Sequence, residues 1–185
     1  MKKLFLLFVL VSFLMVELPA QDPAFVKGEK ILNLALGLGN NLYSGTYYKN
    51  QIPPLSASLE IGVVDEIAEK GVIGVGPYLG YSSFKYEYSN WGWKYSNLII
   101  GARGNFHYPL VDKLDTYTGL LLGYNIASSK EFGSSNQGQE YSYSAGGITW
   151  AGYIGGRYYF KDNFAVMAEL GYGIAYLNVG VALKI

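Results

Sequence analysis

From Lys30 to Ile185 this chain alternates bulky apolar with small or polar side chains, and it does so in eight separate runs. Alternation at period two puts successive side chains on opposite faces of an extended strand, so each run carries one apolar row and one polar row. The predicted strands are Lys30 to Leu42, Leu55 to Val64, Val72 to Ser83, Trp93 to Tyr108, Thr116 to Ala127 and Ala145 to Phe160, followed by a closing hairpin from Phe164 to Ile185 that breaks near Gly173. In the second run Leu55, Ala57, Leu59, Ile61 and Val63 oppose Ser56, Ser58, Glu60 and Gly62. The closing hairpin sets Phe164, Val166, Leu170, Tyr172, Leu177, Val179, Val181 and Leu183 in one row. Pro77, inside the third run, removes a ladder donor and predicts a bulge there.

Charge follows the same alternation. Within the middles of the runs the ionic residues are Glu60, Arg103, Arg157 and Glu169, and all four fall opposite the bulky row. A basic or acidic group on a lipid-facing row near the bilayer midplane costs about 2 to 4 kcal/mol, so the pattern fits an apolar row that faces lipid and a polar row that faces inward. The competing reading is a soluble eight-stranded carrier of the lipocalin type, with the apolar row inside. Its outer face would need many charges along the strands. The chain is 50% hydrophobic and only 15% charged, a poor composition for a wetted surface. After the N-terminus it has no apolar run of the roughly 20 residues that a membrane helix requires. Zero formal charge provides no basic field for nucleic acid. The absence of cysteine excludes disulfides, thiol nucleophiles, Cys-ligated metals and a lipidated Cys.

Lys2 and Lys3, the apolar run Leu4 to Val16 and then Leu18-Pro19-Ala20 read as a signal peptide over residues 1–20, cleaved after Ala20. Residues 21–185 then form the barrel domain. Long connections at Tyr43 to Pro54, Phe84 to Gly92 and Ser128 to Ser144 alternate with short ones at Asp65 to Gly71, Pro109 to Asp115 and Lys161 to Asn163. Long external loops and short periplasmic turns are the habit of membrane barrels. Gly173-Ile174 suits a tight two-residue type II′ turn. The expected fold is all-β: an eight-stranded antiparallel up-and-down transmembrane β-barrel.

Gly155-Gly-Arg-Tyr-Tyr-Phe160, the short turn after it, Phe164 to Gly173, and Tyr176-Leu-Asn-Val-Gly-Val-Ala-Leu-Lys-Ile185 resemble the ending of small outer-membrane β-barrels of Gram-negative bacteria, the OmpA/OmpX-type family. The resemblance implies residence in the cell outer membrane, contact with its lipids and insertion by the barrel-assembly machinery. It also implies a structural or surface role in the cell envelope, with a narrow filled interior and not an open pore. Members usually finish on an aromatic residue, where this chain finishes on Ile185.

Counted from the turn ends, Glu60, Arg103, Arg157 and Glu169 should lie at similar height and form an interior ion-pair network. Arg157 and Glu169 flank one short turn and are expected as direct or diagonal cross-strand neighbours. A proton or ion path is the competing use of these groups. His107, the sole histidine, sits beside Tyr108-Pro109 with no Ser in the same strand half and reads as structural. No catalytic residue is therefore assigned, and a lipid-modifying enzyme is the alternative. One His without Cys gives no metal or cofactor site. Tyr86, Tyr88, Trp91, Trp93 and Tyr95 read as aromatics of the bilayer interface or of a loop tip. Loops 84–92 and 128–144 are the places for an extracellular partner.

Overall fold

The computed structural model describes residues 23–39, 48–88, 91–133 and 141–185. The leader at 1–20 lies outside them. Eight strands run in chain order: β1 (Lys30–Leu38), β2 (Tyr48–Ile67), β3 (Gly71–Tyr88), β4 (Trp91–Val111), β5 (Leu114–Gly133), β6 (Ser142–Lys161), β7 (Phe164–Tyr172) and β8 (Leu177–Lys184). Each pairs antiparallel with the next, and β8 returns to β1 from Ile31↔Lys184 to Leu38↔Leu177, closing the ring. The chain is an eight-stranded antiparallel barrel.

The rows face as charge placement requires. Leu120 and Leu122 on β5 are 67% and 66% exposed, and Leu79, Ile100, Ile154 and Leu170 also point outward, while Asn33, Ser58, Glu60, Arg103 and Asn105 are buried inside. A continuous apolar exterior of this kind is stable only against lipid. The soluble-carrier reading fails here, because it needs the opposite arrangement. Aromatics ring the two ends of the apolar band on the outer face: Tyr108, Tyr158 and Phe160 at the turn end, and Tyr124, Trp150 and Tyr172 at the other.

The wall is uneven in height. β2 to β6 run 18 to 21 residues, whereas β1, β7 and β8 run 8 or 9. A tilted strand needs about 9 to 11 residues to cross a bilayer, so the short wall barely spans it and the tall wall continues about ten residues beyond. The outer row records the boundary. It is apolar up to the paired level of Tyr81, Leu98 and Ile126, and above that level it reads Ser83, Lys85, Ser96, Lys94, Ser128 and Lys130. The stretch expected as loop 84–92 is thus mostly paired strand, with Tyr88↔Trp91 closing the hairpin, and much of 128–144 is strand as well. The same holds for residues 48–54 of β2, while 40–47 and 134–140 lie outside the described residues.

Two further expectations give way. Pro77 makes no bulge: Ser58↔Tyr78 and Ile61↔Val75 keep one register on either side of it, and the shifts occur elsewhere in β2. The β7–β8 connection is not a two-residue turn. Residues 173–176 link the strands, and Ile174 and Ala175 fold into the lumen against Tyr78, Ile99, Leu121 and Ala151. At the opposite mouth the segment before β1 turns inward. Phe25, 1% exposed, packs on Ile31, Val72, Tyr159, Ala165 and Ala182, and the Gly28 N–H donates to Gly62 O at 2.9 Å. Apolar plugs thus close both ends of the barrel interior.

Candidate functional site

Between the plugs the inward row builds a polar cluster in two tiers. In the tier nearer the turns, Arg157 is fully buried and donates through Nη1 to Asp115 Oδ2 at 3.0 Å and through Nη2 to Glu60 Oε2. His107 sits between the same two carboxylates, with Nδ1 at 2.8 Å from Asp115 Oδ1 and Nε2 at 2.6 Å from Glu60 Oε1. Asn105 Nδ2 adds a bond to Glu60 Oε1 at 2.7 Å. In the next tier Arg103 donates through Nη2 to Glu169 Oε1 and through Nε to the Tyr153 hydroxyl at 2.6 Å. Tyr117 OH donates to Glu169 Oε1 at 2.8 Å, and Tyr153 OH to Asn105 Oδ1 at 2.7 Å, which joins the tiers.

The four ionic residues read from the sequence all lie in this cluster, but they pair differently. Arg157 and Glu169 are diagonal in register, since Gly155 lies opposite Glu169 and Met167 opposite Arg157. Their ion pairs go elsewhere, Arg157 to Glu60 and Asp115, and Glu169 to Arg103. The tilt of strands in a closed barrel is the reason: equal counts from the turns do not give equal heights across the ring. Asp115 and His107 were missed as members. The turn predicted at Pro109 to Asp115 ends earlier, with Asp115 in β5 on the inward row of Tyr117.

Both ring nitrogens of His107 face carboxylate oxygens. A neutral imidazole has one N–H and would set a lone pair against one of them, whereas an imidazolium donates to both. It also brings the interior to three cations against three carboxylates. With both nitrogens committed, neither is left to activate a serine hydroxyl, the arrangement a Ser-His-acid enzyme needs. Among the described residues no three of His, Asp and Glu are placed to hold a metal ion. Packing around the cluster is tight: a side chain at Gly74 would run into the Glu60 carboxylate, and one at Gly119 into Asn105 and Tyr153. The cavity left beside Arg103, Tyr153 and Glu169, under Ile174 and Ala175, is ≈ 20 Å³, room for about one water. Larger hollows of ≈ 460 and ≈ 590 Å³ lie on the outer face, along Leu34, Leu55 and Leu79 and along Phe106, Thr118 and Leu170.

The second polar feature is the part of the tall wall above the apolar band. β6 pairs with β7 only from Gly152↔Tyr172 downward, yet its pairing with β5 continues up to Lys130↔Ser142. Residues 142–151 of β6 therefore present an edge with no strand beside it among the described residues. At the other margin of this projecting sheet, β2 carries Pro53 and Pro54, which blunt it. The five aromatics read as interfacial or loop residues lie here. Trp91, Trp93 and Tyr95 share the odd-numbered row of β4 with buried Arg103, Asn105 and His107, and they pair with Tyr88, Tyr86 and Phe84. All five thus occupy the lumen-side row above the band, not the outward row that a bilayer girdle requires.

No protein-family model matches the chain, and no curated protein sequence does. Among solved structures it is similar to Ail, the attachment invasion locus protein of Yersinia pestis, at 17% identity and a TM-score of 0.49, covering 86% of this chain and 96% of that one. The N-terminal β-barrel domain of Pseudomonas aeruginosa OprF matches at 15% identity and a TM-score of 0.47, covering 85% and 98%. A de novo designed transmembrane β-barrel matches at 17% and 0.46, covering 89% and 98%.

Proposed function

We propose that the protein is an integral outer-membrane barrel, exported by a cleaved leader and inserted by the barrel-assembly machinery, that works as a surface-interaction module and not as a pore. The observation that carries this reading is the unpaired edge of β6 on a sheet that rises beyond the apolar band. An exposed edge offers a row of backbone donors and acceptors to an extended peptide, the mode of strand addition. The edge segment Ser142-Tyr-Ser-Ala-Gly-Gly-Ile148 is uncharged, so an incoming strand meets no charge repulsion, and Ser144 to Gly147 are small. A second copy in the same membrane is a poor occupant. Antiparallel edge pairing needs a two-fold axis normal to the sheet, which would invert one barrel relative to the other. The partner is therefore an extended segment of another polypeptide. Lys85, Lys94 and Lys130, level with one another on the outer face just above the band, meet the anionic head groups of the surrounding lipid.

The interior supports a structural use. Its charges answer one another, apolar plugs stop both mouths, and the cavity within holds about one water. The lipid-modifying alternative would require a nucleophile for His107, and the two carboxylates occupy its nitrogens.

The chain has no cysteine, which makes the test clean. S144C should react with a membrane-impermeant maleimide on intact cells, while S58C should not, and both should show heat-dependent mobility in the outer-membrane fraction. Recovery in a soluble fraction, or an S144C that is shielded on cells, would overturn the placement. Of A145P and G146P, the one whose N–H faces away from β5 should leave the barrel folded and abolish strand capture.

A further inference from the structure

Near the tip of the projecting sheet, Glu131 is buried, 7% exposed, on the lumen-side row of β5. Its carboxylate accepts a hydrogen bond from the Trp91 indole N–H, and among the described residues no cation lies within ion-pair distance of it. This is unlike Glu60, Asp115 and Glu169, the other buried carboxylates among the described residues. A desolvated carboxylate without a countercharge is costly, and one neutral donor does not offset it. Its surroundings are aromatic on both sides. Trp93 lies directly opposite on β4, Trp91 and Tyr95 are diagonal, and across the sheet Tyr143 pairs with Ser129 while Tyr141 O accepts from the Glu131 N–H at 2.9 Å. Tyr141 and Tyr143 are 58% and 69% exposed, and among the described residues no strand of the short wall reaches this level. The carboxylate thus lies among aromatic side chains on the lumen-side row, beside the exposed Tyr141 and Tyr143.

We propose that these side chains frame a recess that binds an organic cation, an alkylammonium or guanidinium group, with Glu131 as its counterion and Trp91, Trp93, Tyr95 and Tyr143 as its walls. Ring faces attract such cations, most strongly when the site is partly desolvated, and the indoles also shield the charge pair from water. A bare divalent metal fits poorly, since Ca²⁺ takes six to eight oxygen ligands and Mg²⁺ an octahedral set, while this site presents one carboxylate. The ligand source is either a free amine or a Lys or Arg side chain on the segment that β6 takes up, Tyr141 and Tyr143 flanking both places. The recess rests on the reading that this part of the sheet stands outside the membrane.

The test uses the full barrel folded in detergent, with W150F so that Trp91 and Trp93 are the remaining indoles. Tetramethylammonium, butylammonium and ethylguanidinium are titrated at constant ionic strength, with 3,3-dimethylbutan-1-ol as the neutral isostere. A saturable change in indole emission is expected with the cations and not with the alcohol. E131Q, which keeps an acceptor for Trp91, should weaken it at least about tenfold, the loss of one charge-assisted contact. A free lysine-containing peptide that binds more tightly than butylammonium identifies the side-chain source, and the reverse order the free amine. Equal response to the alcohol, an E131Q titration within twofold of the parent, or no response at roughly 100 mM cation, a hundred times a millimolar Kd, overturns the site. Aqueous acrylamide separates the two failures: quenched indoles with no cation response sink the recess alone, whereas shielded indoles sink the external placement and the recess with it.

Discussion

Glu60, Asp115 and Glu169 at the turn end and Glu131 near the external tip are all buried carboxylates on the lumen-side row, yet their surroundings differ in kind. The first three meet Arg157, Arg103 and His107 within hydrogen-bond distance, and the hydroxyls of Tyr117 and Tyr153 tie the tiers together. Glu131 meets one indole N–H and aromatic walls. A narrow closed barrel can afford charge inside only where it is mutually answered, because nothing else fills the space and water is excluded. Beyond the band the sheet is open on one side, and a charge there can wait for a ligand. On the proposed reading, the difference separates a part of the molecule that holds the barrel together from a part that serves recognition.

The largest effect should come from breaking the self-answered cluster. Arg157→Ala strands Glu60 and Asp115 with a single imidazolium between them, and a loss of about 3 to 5 kcal/mol is expected, the cost of leaving buried charges without their partner. Urea unfolding in lipid vesicles, followed by the heat-dependent mobility shift, measures it. Adding E60Q should return part of the loss, because it removes the one carboxylate charge that the imidazolium cannot match. An R157A barrel as stable as the parent would mean that the cluster does not hold the fold, and the contrast with Glu131 would collapse.

Removing the plug below the cluster comes next. Phe25 packs against the His107 ring with centroids 4.6 Å apart and the planes tilted by 51°, and it seals the lumen beneath Arg157; Phe25→Ala should cost about 3 kcal/mol, the low end for a buried Phe. It should also admit water to the cluster, which faster amide exchange at His107 and Asp115 would report. Unchanged exchange would show that the mouth is closed by something other than Phe25.

How far all this could be read from the chain depended on the kind of signal. The eight strands and the facing of their rows were legible because lipid outside and polar groups inside impose the same alternation on every strand, and Glu60, Arg103, Arg157 and Glu169 obeyed it. The upper halves of β3 to β6 were not legible. Their outer face carries Ser and Lys in place of an apolar row, and their lumen-side aromatics are interleaved with Ser, Gly and Lys, so these stretches resembled loops. Partner choice was hidden as well, since the stagger of a closed ring moves Glu169 level with Arg103 and Glu60 with Arg157. Phe25 had no periodic neighbours to mark it. Glu131 sat inside a stretch rich in Ser and Gly, and its burial follows only from the hairpin pairing that places Trp93 opposite.

The smallest effect on stability should come from Glu131 itself, and that smallness is the informative result. In the interior cluster, neutralising one partner leaves an opposite charge buried and unmatched. Among the described residues no opposite charge lies within ion-pair distance to be stranded, so E131Q removes a desolvated carboxylate while keeping an acceptor for the Trp91 N–H. Its unfolding free energy should therefore fall by no more than about 0.5 kcal/mol, because the substitution breaks no paired feature and relieves the desolvation cost of the carboxylate. The same urea titration used for R157A measures it, so the two values compare directly. A loss of several kcal/mol would mean that Glu131 serves the fold as Glu60 does. A near-zero change beside a large one for R157A would confirm that two carboxylates on the same row, in the same barrel, are buried for different ends.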